Sequence, residues 1–182
     1  MAGTDRTHWD DRYAGVGPVP LDDIGLPERF AAHEAAFPTS GHALELACGT
    51  GRTAVWLAAR GLHVIAVDVS PVAIDLAQDL ARRAGVGHRC DLRVADLDEG
   101  LPAGPPADVI VCHLFRDPRL DGALVDRLAP GGLLAIAVLS EVGAEPGRFR
   151  ARPGELLDAF GTLDVLDAGE ADGTAWLLGR KP

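Results

Sequence analysis

The sequence predicts a doubly wound α/β fold, with a seven-stranded mixed sheet between helices and a last strand that runs antiparallel. Short apolar runs alternate with helical patterns from residue 42 onward, as βαβ units do. The run LHVIAVD, residues 62–68, is apolar enough to be buried on both faces of a parallel sheet. The last two runs, TLDVLD and TAWLLGR, are separated only by AGEADG, which predicts an antiparallel hairpin.

Each element has its own start and stop signals along the chain. Residues 1–25 are polar and then rich in glycine and proline, which predicts an extended arm or loop. Residues 26–37 predict a short helix with Pro27 in its first position, and Ser70 predicts the N-cap of a later helix over 71–84. The predicted strands are HALELA (42–47), LHVIAVD (62–68), CDLRVAD (90–96), ADVIVCH (107–113), LLAIAVLS (133–140), TLDVLD (162–167) and TAWLLGR (174–180). The other predicted helices are GRTAVWLAAR (51–60), DGALVDRLA (121–129) and PGELLDAF (153–160).

The composition favours one domain in a reducing compartment. The 182 residues carry a formal net charge of −10, which disfavours nucleic acid and anionic membranes as partners. The three cysteines, Cys48, Cys90 and Cys112, have neither the spacing of a disulfide framework nor that of a zinc site. We therefore expect a cytoplasmic monomer or homodimer with no metal and no membrane span. Residues 26–182 are expected to form the single domain, and residues 1–25 an N-terminal arm able to act as a lid.

A turn with two glycines lies between the first predicted strand and its helix. Gly49 and Gly51 allow a ligand to approach the backbone closely, and the helix N-terminus offers free N–H groups. Ligands of open α/β sheets bind beyond the carboxyl ends of the strands, where the strand order reverses. Asp68 ends the second strand and can accept hydrogen bonds from ribose hydroxyls, while Asp96 ends the third strand, near the place of an adenine ring.

Two nucleotide ligands are compatible with this pattern. A dinucleotide fits because the turn satisfies G-x-G-x-x-A, which by itself is a weak motif. S-adenosylmethionine also fits, and Glu45 favours it, because a carboxylate repels a pyrophosphate but attracts the ammonium group of a methionine. A short-chain dehydrogenase would need a Tyr-x-x-x-Lys pair, which the only tyrosine, Tyr13, and the only lysine, Lys181, cannot form.

Five segments, in family order and spacing, resemble the class I S-adenosylmethionine-dependent methyltransferases, which have a Rossmann-like methyltransferase fold. They are LELACGTGR, VIAVDVSP, VADL, ADVIVCH and LAPGGLLAIAV, and the resemblance covers roughly residues 40–182. Within the class, HWDDRYAG and RARPGELLDAF resemble the start and the ending of the small tellurite-resistance-type group. The stretch AGVGPVPLDDIGLP departs from that group, and Ala47 stands where the family often has a first glycine.

The resemblance implies S-adenosylmethionine as the cofactor and a role for each matching residue. Glu45, Gly49 and Gly51 would contact the methionine part, Asp68 would bind the ribose hydroxyls, and Asp96 would border the adenine. The remaining residues that the resemblance assigns to the cofactor are Ala47, Val69, Leu97 and Cys112.

Candidate acceptor residues follow the fourth strand and occupy the N-terminal arm. His113 could act as a general base, or it could simply pack on the cofactor. Arg116 could hold an anionic acceptor, or it could form a solvated ion pair with Asp117 or Asp121. Trp9 and Tyr13 could fold over the acceptor as a lid, or they could attach the arm to the core.

The sequence as a whole predicts methyl transfer to a small-molecule acceptor, because nothing in the 182 residues looks like a substrate domain. A thiol, a chalcogen oxyanion and a small hydroxyl compound are the acceptor classes considered. An NAD-type oxidoreductase and a non-catalytic module that binds S-adenosylmethionine stay open as alternatives.

Overall fold

Within residues 2–147 and 150–182, which a computed structural model of the chain describes, eight strands form one mixed sheet. The strands are His42–Leu46 (β1), His63–Asp68 (β2), Cys90–Val94 (β3), Ala107–His113 (β4), Leu128–Ser140 (β5), Arg150–Ala151 (β6), Asp164–Ala171 (β7) and Thr174–Arg180 (β8). The order is β3-β2-β1-β4-β5-β8-β7, and the short β6 pairs with the end of β5. β8 runs antiparallel to both β5 and β7, which confirms the predicted mixed sheet; the two-residue β6 is an addition to it.

The strand order reverses between β1 and β4. The chain moves outward from β1 through β2 to β3, and it then returns to place β4 on the other side of β1. All of these neighbours are parallel, so their carboxyl ends meet at one edge of the sheet. The crevice between the ends of β1 and β4 is therefore the expected ligand site of such a sheet.

Helices cover the two faces of the sheet. The α-helices are Ala2–Ala14 (α1), Arg52–Ala59 (α2), Pro71–Arg83 (α3), Asp121–Arg127 (α4) and Glu155–Phe160 (α5). The 3₁₀ helices are Leu21–Asp23, Glu28–Ala36, Gly87–Arg89, Leu97–Glu99 and Pro118–Leu120. The hydroxyl of Ser70 accepts a hydrogen bond from the N–H of Ala73 at 3.2 Å, which confirms the predicted N-cap of α3.

The core has a layer on each face, because successive side chains of a strand point to opposite sides. On β1, Leu44 is buried in the layer that contains Leu124 of α4. Its neighbour Ala43 is buried in the opposite layer with Leu57 of α2 and Phe30. The two layers hold the strand ends rigidly around the crevice.

The prediction of an extended arm was wrong for its first half, which is the helix α1. The segment is polar, with a weak apolar stripe, so its helical periodicity is hard to see in the sequence. Two of its aromatic side chains, Trp9 and Tyr13, are four residues apart and stack with ring centroids 6.1 Å apart. The helix packs against α3, and such tertiary packing supplies most of the stability of a short helix.

Two strands also differ from the prediction in their extent. β5 begins at Leu128, five residues before the predicted start, and so includes the last two residues of the helix predicted over 121–129. β7 continues to Ala171, so the connection to β8 is the pair Asp172 and Gly173, whose φ angles of 51° and 73° suit a tight hairpin turn. The short helix predicted over residues 26–37 is present as a 3₁₀ helix over Glu28–Ala36.

Candidate functional site

The turn after β1 is built by backbone angles that L-residues seldom adopt. Ala47, Gly49 and Gly51 all have positive φ angles, of 50°, 52° and 77°. The N–H of Cys48 donates to the carbonyl oxygen of Val67 at 2.9 Å, which ties the turn to β2. The turn therefore has a fixed position beside the end of the neighbouring strand.

The two glycines of the turn have different tasks. A Cβ atom on Gly49 would lie 2.8 Å from the hydroxyl oxygen of Tyr13, in the cavity above the turn. A Cβ atom on Gly51 would lie 2.7 Å from the Cβ of Ala77, so Gly51 allows α2 to pack against α3. The structure thus places Gly49 at the ligand side of the turn and Gly51 in the packing behind it, away from the cavity wall.

Asp68 lies at the end of β2, with its carboxylate directed at the turn. One carboxylate oxygen accepts the N–H of Gly49 at 2.8 Å, and the other accepts the N–H of Ser70 at 2.9 Å. Burial raises the pKa of this carboxyl, while these backbone donors act in the opposite direction. Each oxygen keeps a further lone pair for a ligand hydroxyl.

Glu45 is a buried carboxyl with an unsatisfied oxygen. Its side chain is 4% exposed, and its Oε2 atom has no hydrogen-bond partner within the described residues. Burial raises its pKa to about 8; a backbone hydrogen bond from Ala54 opposes the shift, and the nearby charge of Asp68 adds to it. A buried oxygen of this kind is costly unless a ligand donates to it, and a cationic donor suits it best.

The ends of β2 and β3 supply the other side of the cavity. Val69 is half-buried there, and Leu97 is buried in the 3₁₀ helix that follows β3. Asp96 caps this helix by accepting the N–H of Asp98 at 2.9 Å. These residues and Asp68 all line the cavity, so the residue predicted to bind the ribose and those predicted to border the adenine lie in the same cavity.

Helix α1 covers the turn from above. Trp9 and Tyr13 both line the cavity, and the hydroxyl of Tyr13 lies over Gly49. Burial and the nearby charge of Asp68 raise the pKa of Tyr13 to about 12, so its hydroxyl stays protonated and can donate a hydrogen bond. The hydroxyl of Ser70 donates to a carboxylate oxygen of Asp10 at 2.5 Å, which attaches α1 to the start of α3.

The end of β4 carries the predicted base. His113 is the last residue of β4, is exposed, and lines the cavity. Partial desolvation lowers its pKa from the ordinary value, which favours the neutral imidazole that a base requires. Its neighbour Cys112 is 2% exposed and donates to the carbonyl oxygen of Phe115, so it faces the core rather than the cavity.

Arg116 differs from its predicted role as an anion-binding residue. Its side chain is only 3% exposed, and its guanidinium donates twice to Asp121, at 2.5 and 2.9 Å, and once to Glu155, at 2.8 Å. All three of its nitrogens are therefore engaged by two carboxylates. Of the two partners considered for an ion pair, Asp117 and Asp121, the structure contains the pair with Asp121, but the pair is buried rather than solvated.

One cavity of about 1420 Å³ is lined by most of the predicted site residues, with Gly51 and Cys112 outside its lining. Pockets for single small ligands usually measure about 300–1,000 Å³, so the space is sufficient for a nucleoside cofactor and a second molecule. The described residues contain no group of three or more His, Cys, Asp or Glu side chains arranged to hold a metal ion. No helix in the described part of the chain is long and apolar enough to cross a membrane.

The residues present suit S-adenosylmethionine. The unsatisfied oxygen of Glu45 matches an ammonium group, and the free lone pairs of Asp68 match a ribose diol. Gly49 has no side chain to fill the space between the turn and the hydroxyl of Tyr13, which suits a ligand that lies close to the backbone there. Arg52, the basic residue that directly follows this turn, is paired with Asp23 at 3.0 Å, so its charge is already engaged and not free for the pyrophosphate of a dinucleotide.

Sequence reasoning missed three apolar residues and one polar contact of the site. Val16, Leu114 and Leu139 line the cavity with large exposed fractions, and no periodicity marks them as ligand-facing. The contact between Asp10 and Ser70 joins positions 60 residues apart, so a single sequence gives no signal for it.

The fold and the site define an open-sheet α/β protein that accommodates an adenosyl ligand with an ammonium-bearing tail. Residues 43–132 match the methyltransferase domain family. A release factor glutamine methyltransferase from Cereibacter sphaeroides is 33% identical over 209 aligned residues, covering 97% of this chain and 72% of that protein. A ribosomal protein L11 methyltransferase from Symbiobacterium thermophilum is 35% identical, covering 96% of this chain and 58% of that protein. The fold is also that of TehB from Haemophilus influenzae, with a TM-score of 0.72, 17% identity, and coverage of 97% of this chain and 67% of that one.

The chain therefore belongs to the class I S-adenosylmethionine-dependent methyltransferases, a family whose cofactor is S-adenosylmethionine. This family assignment rules out the alternative prediction of an NAD-type oxidoreductase. The chain spans between 33% and 58% of the length of the first four curated relatives, of which three are ribosomal protein L11 methyltransferases.

Proposed function

We propose that this chain transfers the methyl group of S-adenosylmethionine to a small molecule bound between α1 and the carboxyl ends of β4 and β5. The single observation that carries the proposal is the cover that α1 forms over the cavity, with Tyr13 above Gly49 and Trp9 beside it. A cover of this kind excludes water and leaves room for a small acceptor inside the cavity.

The cofactor would be held along the ends of the first three strands. Glu45 would receive the ammonium group on its unsatisfied oxygen, and Asp68 would receive the ribose hydroxyls. Asp96, Leu97 and Val69 would border the adenine ring. Ala47 and Gly49 would form the floor beneath the methionine part.

S-adenosylmethionine, when bound, supplies a methyl group on a sulfonium, and the carbon–sulfur bond breaks with its electron pair on sulfur as the acceptor forms the new bond. The protein has to align the acceptor in line with that bond, and alignment alone can contribute about 7–11 kcal/mol. His113 would take the proton of an acceptor O–H or S–H group, since its lowered pKa keeps it neutral near pH 7. Trp9 and Tyr13 would exclude water while the acceptor is in place.

A protein acceptor is the second candidate function. Two curated relatives that cover 96% and 97% of this chain are named as methyltransferases of a ribosomal protein and of a release factor. A protein side chain would have to enter past α1, whereas a small molecule would lie beneath it. The size of the acceptor therefore separates the two candidates.

A radiolabelled methyl assay tests the proposal directly. The chain is incubated with methyl-tritiated S-adenosylmethionine and either a panel of thiols, phenols and chalcogen oxyanions or a total protein extract that includes ribosomal proteins. Small-molecule products are then separated from protein by ultrafiltration. We expect label in the filtrate, reduced at least tenfold by Asp68→Asn. Label only in retained protein would favour the second candidate, and no label in either fraction, with cofactor binding intact, would favour the non-catalytic module.

A further inference from the structure

Three large apolar side chains are exposed inside the cavity. Val16, Leu114 and Leu139 are exposed to 42%, 53% and 37%, and all three line it. Leu114 follows the end of β4 directly, and its N–H donates to the carbonyl oxygen of Ala137 on β5 at 2.7 Å. Leu139 lies two residues further along β5. Leu114 and Leu139 therefore belong to the β4 and β5 side of the cavity, opposite the cofactor residues of β2 and β3, while Val16 follows α1.

Leu114 adopts an unusual backbone conformation to reach this place. Its φ angle is 59°, in the left-handed region that a bulky L-residue seldom occupies and that costs about 1–2 kcal/mol. Glycine or asparagine would adopt the same angle at lower cost. The chain thus retains an apolar side chain over the cavity at a position where local backbone preference favours another residue, which is typical of a functional position.

The positive charges around the cavity are mostly neutralised within the chain. Arg52 pairs with Asp23, and Arg116 is enclosed by its two carboxylate partners. Arg119 pairs with Asp98 and with a second aspartate. Of the four arginines that line the cavity, three are therefore engaged in ion pairs, and the fourth, on α1, has its guanidinium over the ring of Trp9 at 5.5 Å. The ring contact leaves the guanidinium of Arg12 charged, so an anionic acceptor would gain mainly from this one group, while it would also meet the net negative charge of the chain.

We propose that the acceptor is a neutral molecule with an apolar body of about the size of one substituted ring and a single O–H or S–H group, and that Leu114 and Leu139 are the specificity residues that hold it. The proposal rests on the proposed function and narrows its acceptor classes. The apolar body lies against the two leucines and Val16, and the O–H or S–H group points toward His113. A chalcogen oxyanion is excluded as the preferred acceptor, because the side of the cavity formed by Leu114 and Leu139 offers it apolar surface in place of a free cationic donor.

Calorimetric binding to the protein saturated with S-adenosylhomocysteine tests this proposal without requiring turnover. The probes are 4-ethylphenol and 4-ethylbenzoate, which share the 4-ethylphenyl body and differ in the polar group, neutral in the first and anionic in the second at neutral pH. We expect 4-ethylphenol to bind at least tenfold more tightly than 4-ethylbenzoate. Equal binding, tighter binding of 4-ethylbenzoate, or no binding of 4-ethylphenol would overturn the proposal.

Two variants locate the apolar contact, and a third is the matched control. Leu114→Asn removes the apolar surface and suits the left-handed φ angle, so the protein should remain folded. Leu139→Thr makes the corresponding change at the end of β5 with a residue that favours strands. Leu166→Thr is the control, since Leu166 is a strand residue, 47% exposed, that does not line the cavity.

The affinity for 4-ethylphenol should fall roughly tenfold in each cavity variant and stay unchanged in the control, while the affinity for S-adenosylhomocysteine stays within twofold in all three. An unchanged affinity of the cavity variants for 4-ethylphenol would overturn the assignment of the two leucines. Failure of S-adenosylhomocysteine to bind the wild-type chain would overturn the proposed function itself. Cofactor binding with a preference for the anionic probe would overturn only the acceptor class.

Discussion

The buried carboxyl of Glu45 makes cofactor binding depend on pH. Its pKa of about 8 means that, before the ligand binds, the carboxyl is about nine-tenths protonated at pH 7. The ammonium group of the ligand requires the charged carboxylate, so binding lowers this pKa and releases the proton. If the bound carboxyl titrates below pH 5, about 0.9 proton leaves per site at pH 7. The observed affinity should then rise about 50-fold between pH 6 and pH 8, which corresponds to about 2.3 kcal/mol.

Calorimetry with S-adenosylhomocysteine measures both quantities. Titrations at pH 7 in buffers of different ionisation enthalpy count the released protons, and titrations at pH 6, 7 and 8 give the affinity profile. Glu45→Gln is the matched variant: its binding should be weaker at pH 8 and should lose most of this pH dependence. It also separates Glu45 from Asp68, whose pKa is likewise raised by burial. A wild-type affinity that is flat from pH 6 to 8, with no proton released, would refute the reasoning.

The same carboxyl should make the folded protein less stable as the pH rises. Its folded pKa of about 8 lies above the ordinary value of 4.5, so the folded chain holds this proton more tightly than the unfolded chain. The free energy of unfolding therefore falls between about pH 4.5 and pH 8, by at most about 5 kcal/mol. Thermal unfolding should find Glu45→Gln more stable than wild type at pH 8.5 and no longer so at pH 5. A stability difference between Glu45→Gln and wild type that is the same at both pH values would contradict the raised pKa of the buried carboxyl.

Three further changes test the packing around the site. Gly51→Ala should destabilise the fold by about 2 kcal/mol in a denaturant titration, because the new Cβ clashes with α3 and the φ angle is 77°. The control is Gly85→Ala, which has a similar φ angle of 75° but open space around it and should therefore cost less. Arg116→Met should lower the free energy of unfolding by about 3 kcal/mol, because it leaves two carboxylates unpaired, and it should leave the affinity for S-adenosylhomocysteine unchanged. A loss of ligand affinity without a loss of stability would contradict the structural role of Arg116. Asp10→Ala should speed the dissociation of S-adenosylhomocysteine about fivefold, because it removes a hydrogen bond that holds α1 over the cavity. Stopped-flow measurements give the dissociation rates, and the control Asp11→Ala should leave the rate unchanged.

The sheet could be predicted from the sequence because its signals are local. The alternation of apolar strands with helices, the cap at Ser70 and the short connection before β8 each lie within a few residues of the element that they define. The carboxylates Glu45 and Asp68 could be assigned because strand ends meet at one edge of a parallel sheet. Their burial follows from the same placement, in the middle of the sheet.

Features that depend on contacts between distant segments could not be predicted in this way. Helix α1 is stabilised by its packing on α3, so its own sequence reads as a polar arm. Gly51 looked like a second ligand contact, but its neighbour is Ala77, which lies 26 positions away along the chain. Arg116 was considered an anion-binding residue, and its second carboxylate partner, Glu155, lies on α5, 39 residues away. The spacing along the sequence therefore predicts which residues lie near the site, while their contacts with distant segments determine their roles there.

Titration of the chain with S-adenosylhomocysteine and with NADH, in wild type and Asp68→Ala, tests the central claim most directly. The account predicts roughly micromolar binding of S-adenosylhomocysteine that is lost in a variant still folded by its thermal transition, and much weaker binding of NADH. Undetectable binding of S-adenosylhomocysteine to the folded wild-type chain, or tighter binding of NADH, would contradict it.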